Sequence, residues 1–241
     1  PRTGSTGDGI KWAKEMGLSV SEPKPALVPM VARENFCKEL MGLSLKNISV
    51  TYVAKVKNKD KKVYSDFGEM LFTHFGVSGP VILSASSHLG KYLSEDLRLY
   101  IDLKPGLTRE QLNDRLLRDF SVNINKQFRN SLGNLLPKKL IPVIIDISGI
   151  DQYKKVNEIT KEERMRLIES LKNLELHIIG FRGFDEAIIT QGGVSVKEIN
   201  PQNMESKTIK GLRFVGEVID VDALTGGFNL QIAWSTAAAL E

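Results

Sequence analysis

Three glycine-bearing segments hold the residue types that could do chemistry. The first is Thr3-Gly4-Ser5-Thr6-Gly7-Asp8-Gly9. Small residues let a backbone approach a ligand closely. Asp8 is placed to cap a following helix, and free amides at a helix start attract a phosphate or carboxylate. The same residues also suit an ordinary capped turn. The second segment is His74-Phe75-Gly76-Val77-Ser78-Gly79-Pro80. A histidine near a serine raises a nucleophile-and-base reading, but Gly79-Pro80 follows the serine directly, which is not a Gly-x-Ser-x-Gly elbow. Ser78 is expected to cap a helix with Pro80 in its first turn. His74 stays a weak candidate for a substrate-side acid or base, because imidazole titrates near neutrality. The third segment runs from Gly216-Glu217-Val218-Ile219-Asp220-Val221-Asp222 to Thr225-Gly226-Gly227-Phe228-Asn229-Leu230-Gln231. A short strand there would deliver Glu217 and Asp220 to accept from sugar hydroxyls. A Gly-Gly turn would then open a helix whose first amides face an anion or a carbonyl. The alternative is a loop with two flexible glycines.

His88 and His177 have no metal-ligand spacing to each other or to His74, and no metal site is expected. His177 sits in an apolar run and reads as a structural histidine. The chain has no phosphate-binding P-loop, no HExxH, no paired CxxC and no Gly-x-Gly-x-x-Gly.

The elements that must position these residues follow from periodicity. Ile10, Ala13 and Met16 lie close to helical spacing over 8–17. Pro23, Pro25 and Pro29 force an extended path. Ile48, Val50, Tyr52, Ala54 and Val56 alternate with mostly polar residues, broken only by Val53, and predict a half-buried antiparallel strand. Asn58-Lys59-Asp60 is the expected turn into a partner strand over 63–72. Leu97, Leu99, Ile101 and Leu103 predict a further strand, ended by Pro105-Gly106. Thr108-Arg109-Glu110-Gln111 and Thr160-Lys161-Glu162-Glu163 fit capping boxes. The first opens a helix carrying Leu112, Leu116 and Phe120. The second opens one with Met165, Ile168, Leu171 and Leu174 on or near one face. An apolar helix is expected between them over 134–145, bent or started by Pro137 and Pro142. Strands resume over 176–179 and 187–190. The class is α+β: an antiparallel β-barrel-like domain over 24–106 and 175–210, with a small helical domain inserted at 107–174.

Hydrophobic residues are 41% and charged residues 26%, ordinary values for a globular chain. No apolar run of about 18 residues exists, so no membrane partner is expected. Cys37 is the single cysteine, which excludes an internal disulfide framework and suits a reducing, cytoplasmic setting. The net charge of +4 includes a cluster at Lys55, Lys57, Lys59, Lys61 and Lys62. No aromatic interleaves these lysines to stack bases, so a solvated hairpin tip is expected and nucleic acid is disfavoured. The start at Pro1 reads as internal to a longer protein. Residues 237–241, Ala-Ala-Ala-Leu-Glu, read as a vector-derived tail.

Read together, four segments resemble the BaiN-like family of NAD(P)/FAD-dependent oxidoreductases. They are Thr3–Gly9 leading to Pro25-Ala26-Leu27-Val28-Pro29; His74–Pro80; Thr190-Gln191-Gly192-Gly193-Val194 with Met204-Glu205-Ser206-Lys207; and Gly211 through Gln231. The resemblance covers essentially all of 1–236. It implies a Rossmann-like FAD domain built from both chain ends, with 1–23 and 211–236 as its remnants here. The Gly-rich turn for the FAD pyrophosphate would lie upstream of Pro1. Thr3, Gly4, Ser5, Thr6 and Gly7 would lie near the flavin. Glu217 or Asp220 would face the ribityl chain, and Gly226, Gly227, Phe228, Asn229 and Leu230 the isoalloxazine.

The resemblance implies a parent enzyme that passes hydride from NAD(P)H through FAD to a small organic substrate, enone-like compounds included. This chain would be its substrate-side portion, inactive alone and poor at retaining FAD, with the missing part of the FAD domain as its partner. The alternative is a non-enzymatic protein- or RNA-interaction module built on the helical block or the lysine hairpin. A Ser-His hydrolase at Ser78 and His74 is a third and weaker reading.

Overall fold

A computed structural model describes residues 4–122 and 124–240, so Thr3 lies outside the described residues. In chain order the elements are α1 (Asp8–Glu15), β1 (Val20–Ala26), β2 (Met30–Ala32), α2 (Phe36–Glu39), β3 (Ser44–Val56), β4 (Lys59–Thr73), β5 (Gly76–Ser78), α3 (Pro80–Leu89), β6 (Leu97–Asp102), α4 (Arg109–Ser121), α5 (Ile141–Ser148), α6 (Lys161–Lys172), β7 (Leu174–Phe181), β8 (Ile189–Val194) and α7 (Phe228–Ala238). Contacts divide the chain into two compact units. One comprises Val31–Val81 and Lys91–Ile179, the other Pro1–Met30, Ile82–Gly90 and Gly180–Glu241.

The expected barrel is present. It is a closed six-stranded barrel in the order β2-β5-β4-β3-β6-β7. The pairs β3–β4, β3–β6, β4–β5 and β6–β7 are antiparallel. Ile48, Val50, Tyr52 and Ala54 are buried, as the alternation requires. A register shift falls between Tyr52 and Val53, where the alternation breaks. Burying Ile48 and Val50 contributes roughly 1.5–3 kcal/mol each. The hairpin turn is Lys57-Asn58, one register earlier than expected. Val56 pairs with Lys59, and both turn residues have positive φ, 50° and 61°. That is the backbone of a two-residue type I′ turn, whose twist matches the strands.

Among the described residues, the α-helices α4, α5 and α6 lie between β6 and β7. Both capping boxes form: Thr108 with Gln111, and Thr160 with Glu163. Leu112, Leu116 and Phe120 are buried as expected, and Phe120 meets Phe128 edge-to-face at 6.5 Å. Two expectations here are corrected. The middle helix is started by Pro142, as one reading of the sequence expects, but it spans Ile141–Ser148 rather than 134–145 and follows a 3₁₀ turn over Lys138–Leu140. On α6 the buried residues include Leu167, Ile168 and Leu171, while Met165 is exposed and Leu174 already belongs to β7.

In the other unit, β1 and β8 pair with each other as a two-stranded antiparallel ribbon that is not part of the barrel sheet. The core of this unit is Ala13, Leu18, Val194, Ile199, Met204, Phe214 and Ile219. No strand forms over 216–222. Gly216, at φ 69°, begins a 3₁₀ turn over Gly216–Val218, and Ile219 makes a single parallel bridge to Val194. Helix α7 begins at Phe228, directly after the Gly-Gly turn, as the sequence predicts.

Candidate functional site

The unit of the terminal segments contains a cavity of about 770 Å³. The loop Gly4–Gly9 and the first turns of α1 form one side. Val20, Glu22 and Pro23 of β1, with Phe184, Thr190, Glu217 and Val218, form the rest. The expected residues Gly4, Ser5, Thr6, Gly7 and Glu217 therefore share one cavity.

Local chemistry explains the loop. Gly7, at φ 77°, is the residue before α1, and no side chain caps that helix start. Asp8 is the first helical residue rather than the cap, and it accepts the Thr6 hydroxyl at 2.7 Å. A Cβ added at Gly4 or Gly7 would meet no atom within 4 Å, so the backbone there borders open space. An uncapped helix start leaves amide donors and a positive dipole end for a ligand. On the wall, a hydrogen bond from Lys14 holds the Glu22 carboxyl below its ordinary range.

The β1–β8 ribbon fixes all three carboxylates of 216–222. Glu217 accepts the Thr190 amide. Asp220 accepts the Ser21 hydroxyl at 2.6 Å, and Asp222 accepts the Gln191 side-chain amide at 3.2 Å. Of the three, only Glu217 lines the cavity. The glycine pair of β8 makes this packing possible. A Cβ at Gly192 would stand 2.7 Å from the Glu22 carbonyl oxygen, and one at Gly193 2.5 Å from that of Val218. Gly9 likewise approaches Val218, so α1 and the Glu217 turn meet directly.

The segment 226–230 lies outside the lining of this cavity. Gly226 and Gly227 have φ 122° and 86° and lead into α7, again with no side-chain cap. Phe228 and Leu230 are exposed. Asn229 acts as a clamp: its carbonyl oxygen accepts the Ala223 amide and its amide donates to the Ala223 carbonyl, both at 2.8 Å. The Ser84 and Thr225 hydroxyls share a hydrogen bond at 3.3 Å, which ties the turn to α3.

His74 is exposed at the β4–β5 turn of the barrel unit, edge-on to Phe75 at 4.9 Å. Ser78 belongs to β5, paired with Leu71, and Gly79 rather than Ser78 directly precedes α3, which starts at Pro80. Gly79 precedes Pro80 at φ 94°, where a Cβ would stand 2.9 Å from Met70 Cα. His177 is held by Glu34, which accepts at 2.8 Å from the ring and at 3.0 Å from the amide. Among the described residues, no group of three His, Cys, Asp or Glu side chains could hold a metal. A cavity of about 910 Å³ also lies in the helical insertion, bordered by Arg129, Lys138, Asp146 and Asp151. Its charges are balanced and it holds none of the sequence-derived candidates.

Residues 24–189 match the family profile described as the HI0933-like protein barrel and H2TH domain. The chain belongs to this family. It is 34% identical over 241 residues to a ribosomal RNA dihydrouridine synthase of Haemophilus influenzae, covering 99% of this chain and 56% of that protein. It is 30% identical over 239 residues to a 3-dehydro-bile acid delta(4,6)-reductase of Clostridium scindens, covering 97% and 56%. It is also 30% identical over 241 residues to a ribosomal RNA dihydrouridine synthase of Escherichia coli, covering 99% and 56%. The chain thus spans about half the length of these relatives. The HI0933-like match covers the barrel and helices. Of the cavity-lining residues, only Phe184 falls inside it.

The wall residues Val20, Glu22, Pro23, Phe184 and Thr190 were not singled out from sequence as site residues. The signal that could have found Thr190 is the Gly192-Gly193 pair beside it. Two adjacent glycines in a strand mark a close backbone approach.

Proposed function

We propose that the full-length protein is a flavin-dependent reductase, and that this cavity holds part of its FAD. The observation that carries the reading is one cavity lined both by an uncapped helix start and by a positioned carboxylate. The Gly4–Gly7 backbone and the start of α1 would donate to carbonyl or phosphate oxygens of the cofactor. Glu217 would accept from its ribityl or ribose hydroxyls, and Phe184, Pro23, Val20 and Val218 supply an apolar wall. The residues present fit such a group, because the open space beside Gly4 and Gly7 admits a ligand against the backbone. Bound there, FAD supplies hydride uptake from NADH or NADPH and hydride delivery to the substrate. The chain's own residues bind and orient. Thr190 fixes Glu217, Ser21 fixes Asp220, and Asn229 fixes the Gly226-Gly227 turn.

The relatives' names share one chemistry. Dihydrouridine is uridine without its ring carbon–carbon double bond, which is conjugated with a carbonyl. A delta(4,6)-reductase acting on a 3-dehydro bile acid removes double bonds conjugated with a ketone. We therefore assign the substrate as a double bond conjugated with a carbonyl, and place uridine in ribosomal RNA first. Two of the three relatives carry that name, and a free enone is the second reading. The test incubates the full-length protein with NADPH or NADH and either a ribosomal RNA transcript or a 3-oxo-4,6-diene steroid. Gain of two hydrogens by a nucleoside in the digested RNA, read by mass spectrometry, supports the first substrate. Gain by the steroid alone selects the second. Gain by neither, with flavin bound and reduced, contradicts the substrate assignment.

A further inference from the structure

Residues 55–62, Lys-Val-Lys-Asn-Lys-Asp-Lys-Lys, form the tip of the β3–β4 hairpin. They carry five lysines and one acid, a net +4 that equals the formal charge of the whole chain. The fold therefore concentrates its net positive charge in one short ribbon. All five lysines are exposed. Among the described residues, none of them forms an ion pair, and the one acid, Asp60, is taken by Arg98. The ribbon also reaches beyond its sheet neighbour, since the last β3–β6 pair is Ala54 with Leu97. Lys57 occupies the first turn position at φ 50°, a left-handed conformation that glycine or asparagine adopts at lower cost. The turn thus keeps an ammonium where the backbone favours another residue.

We propose that this ribbon docks the phosphate backbone of an RNA. The proposal rests on the RNA reading of the substrate given above. Lysine is a compact point charge that contacts phosphate without reading base edges. The tip has no aromatic for stacking on bases and no arginine fork, so it holds backbone rather than sequence. It also lacks the Trp, Phe or Leu face with which an interfacial segment enters a lipid surface. Lys59 and Lys61, neighbours on one face of β4, lie about 7 Å apart, and Lys55 and Lys57 extend the charge through the end of β3 and the turn, so successive charges suit an extended polyanion.

The experiment measures binding of the full-length protein to a ribosomal RNA transcript by fluorescence anisotropy over a salt series. The triple variant Lys57→Gln, Lys59→Gln, Lys61→Gln is compared with a charge-matched control, Lys38→Gln, Lys161→Gln, Lys210→Gln. All six side chains are exposed, and thermal unfolding checks that both proteins fold. The hairpin variant is expected to bind at least about tenfold more weakly, with the log–log salt slope reduced by about two. The control is expected to stay close to wild type. Equal weakening of both variants would overturn the proposal, since net charge alone would then explain binding. Binding to phosphatidylserine vesicles that matches or exceeds RNA binding and is lost with the same lysines would overturn the RNA assignment. Flavin reduction by NADPH is read on the same proteins. Normal flavin reduction with RNA binding that the hairpin substitutions leave unchanged sinks only this inference, whereas hairpin-dependent RNA binding by a protein without flavin chemistry sinks only the proposed function.

Discussion

Gly193 and Val218 stand so close that a Cβ on Gly193 would lie 2.5 Å from the Val218 carbonyl oxygen. Through this contact β8 packs against the turn that carries Glu217. Gly193 also has φ 134°, which a side chain disfavours. Gly193→Ala is expected to destabilise the protein by at least about 2 kcal/mol and to weaken flavin binding. Urea unfolding with a flavin titration checks this. Gly133→Ala, whose Cβ meets nothing within 4 Å, is the control and is expected to stay within about 0.5 kcal/mol.

Glu217→Gln keeps an acceptor for the Thr190 amide but removes the charge facing the cavity. Fold stability should change little, while flavin affinity should fall about tenfold, near 1.4 kcal/mol. Asp220→Asn should leave the cavity wall intact, because Asp220 is engaged with Ser21. Equal loss of flavin from both variants would contradict the assignment of Glu217 as the cavity carboxylate.

Asn229→Ala removes both hydrogen bonds to Ala223. We expect a loss of about 1–2 kcal/mol and a mobile Gly226-Gly227 turn. Asn229→Asp keeps the acceptor and loses the donor, so its melting temperature should fall between wild type and alanine.

Glu163 gives a pH test in the helical insertion. Hydrogen bonds from Lys154, then from the Thr160 amide, hold its carboxyl below the ordinary 4.5. A carboxyl lowered on folding contributes stability that is complete above the ordinary value and lost as pH falls through the folded one. Glu163→Gln should therefore cost stability near neutrality and converge on wild type in acid. A gap that stays constant with pH contradicts the pairing. Thr160→Ala should cost about 1 kcal/mol at any pH.

Cys37 is buried, and desolvation first, then Glu34, pushes its thiol up to about 12. It should resist a disulfide reagent in the native protein at about pH 8 and react once urea unfolds the barrel.

Much of the barrel and its insertion was legible because its signals are local. Alternation at Ile48, Val50, Tyr52 and Ala54 sets one face of β3, and a capping box is complete within four residues. The hairpin turn was misplaced because Lys57 is not a residue type that announces positive φ. Asp8 was misread as a cap because the left-handed Gly7 takes that place. The site was only half legible. Glu217 stood out by type, but its fixation by Thr190 across 27 positions depends on a ribbon pairing Val20 with Val194. No window of sequence contains such a pairing, and it is what separates Glu217 from Asp220.

The visible absorption spectrum of the full-length protein, before and after addition of NADH or NADPH under anaerobic conditions, tests the central claim most directly. The account predicts a bound flavin spectrum that one of the two nicotinamides bleaches, and a weaker flavin signal in Glu217→Gln. A colourless full-length protein that binds no added FAD, or a bound flavin that neither nicotinamide reduces, would contradict it.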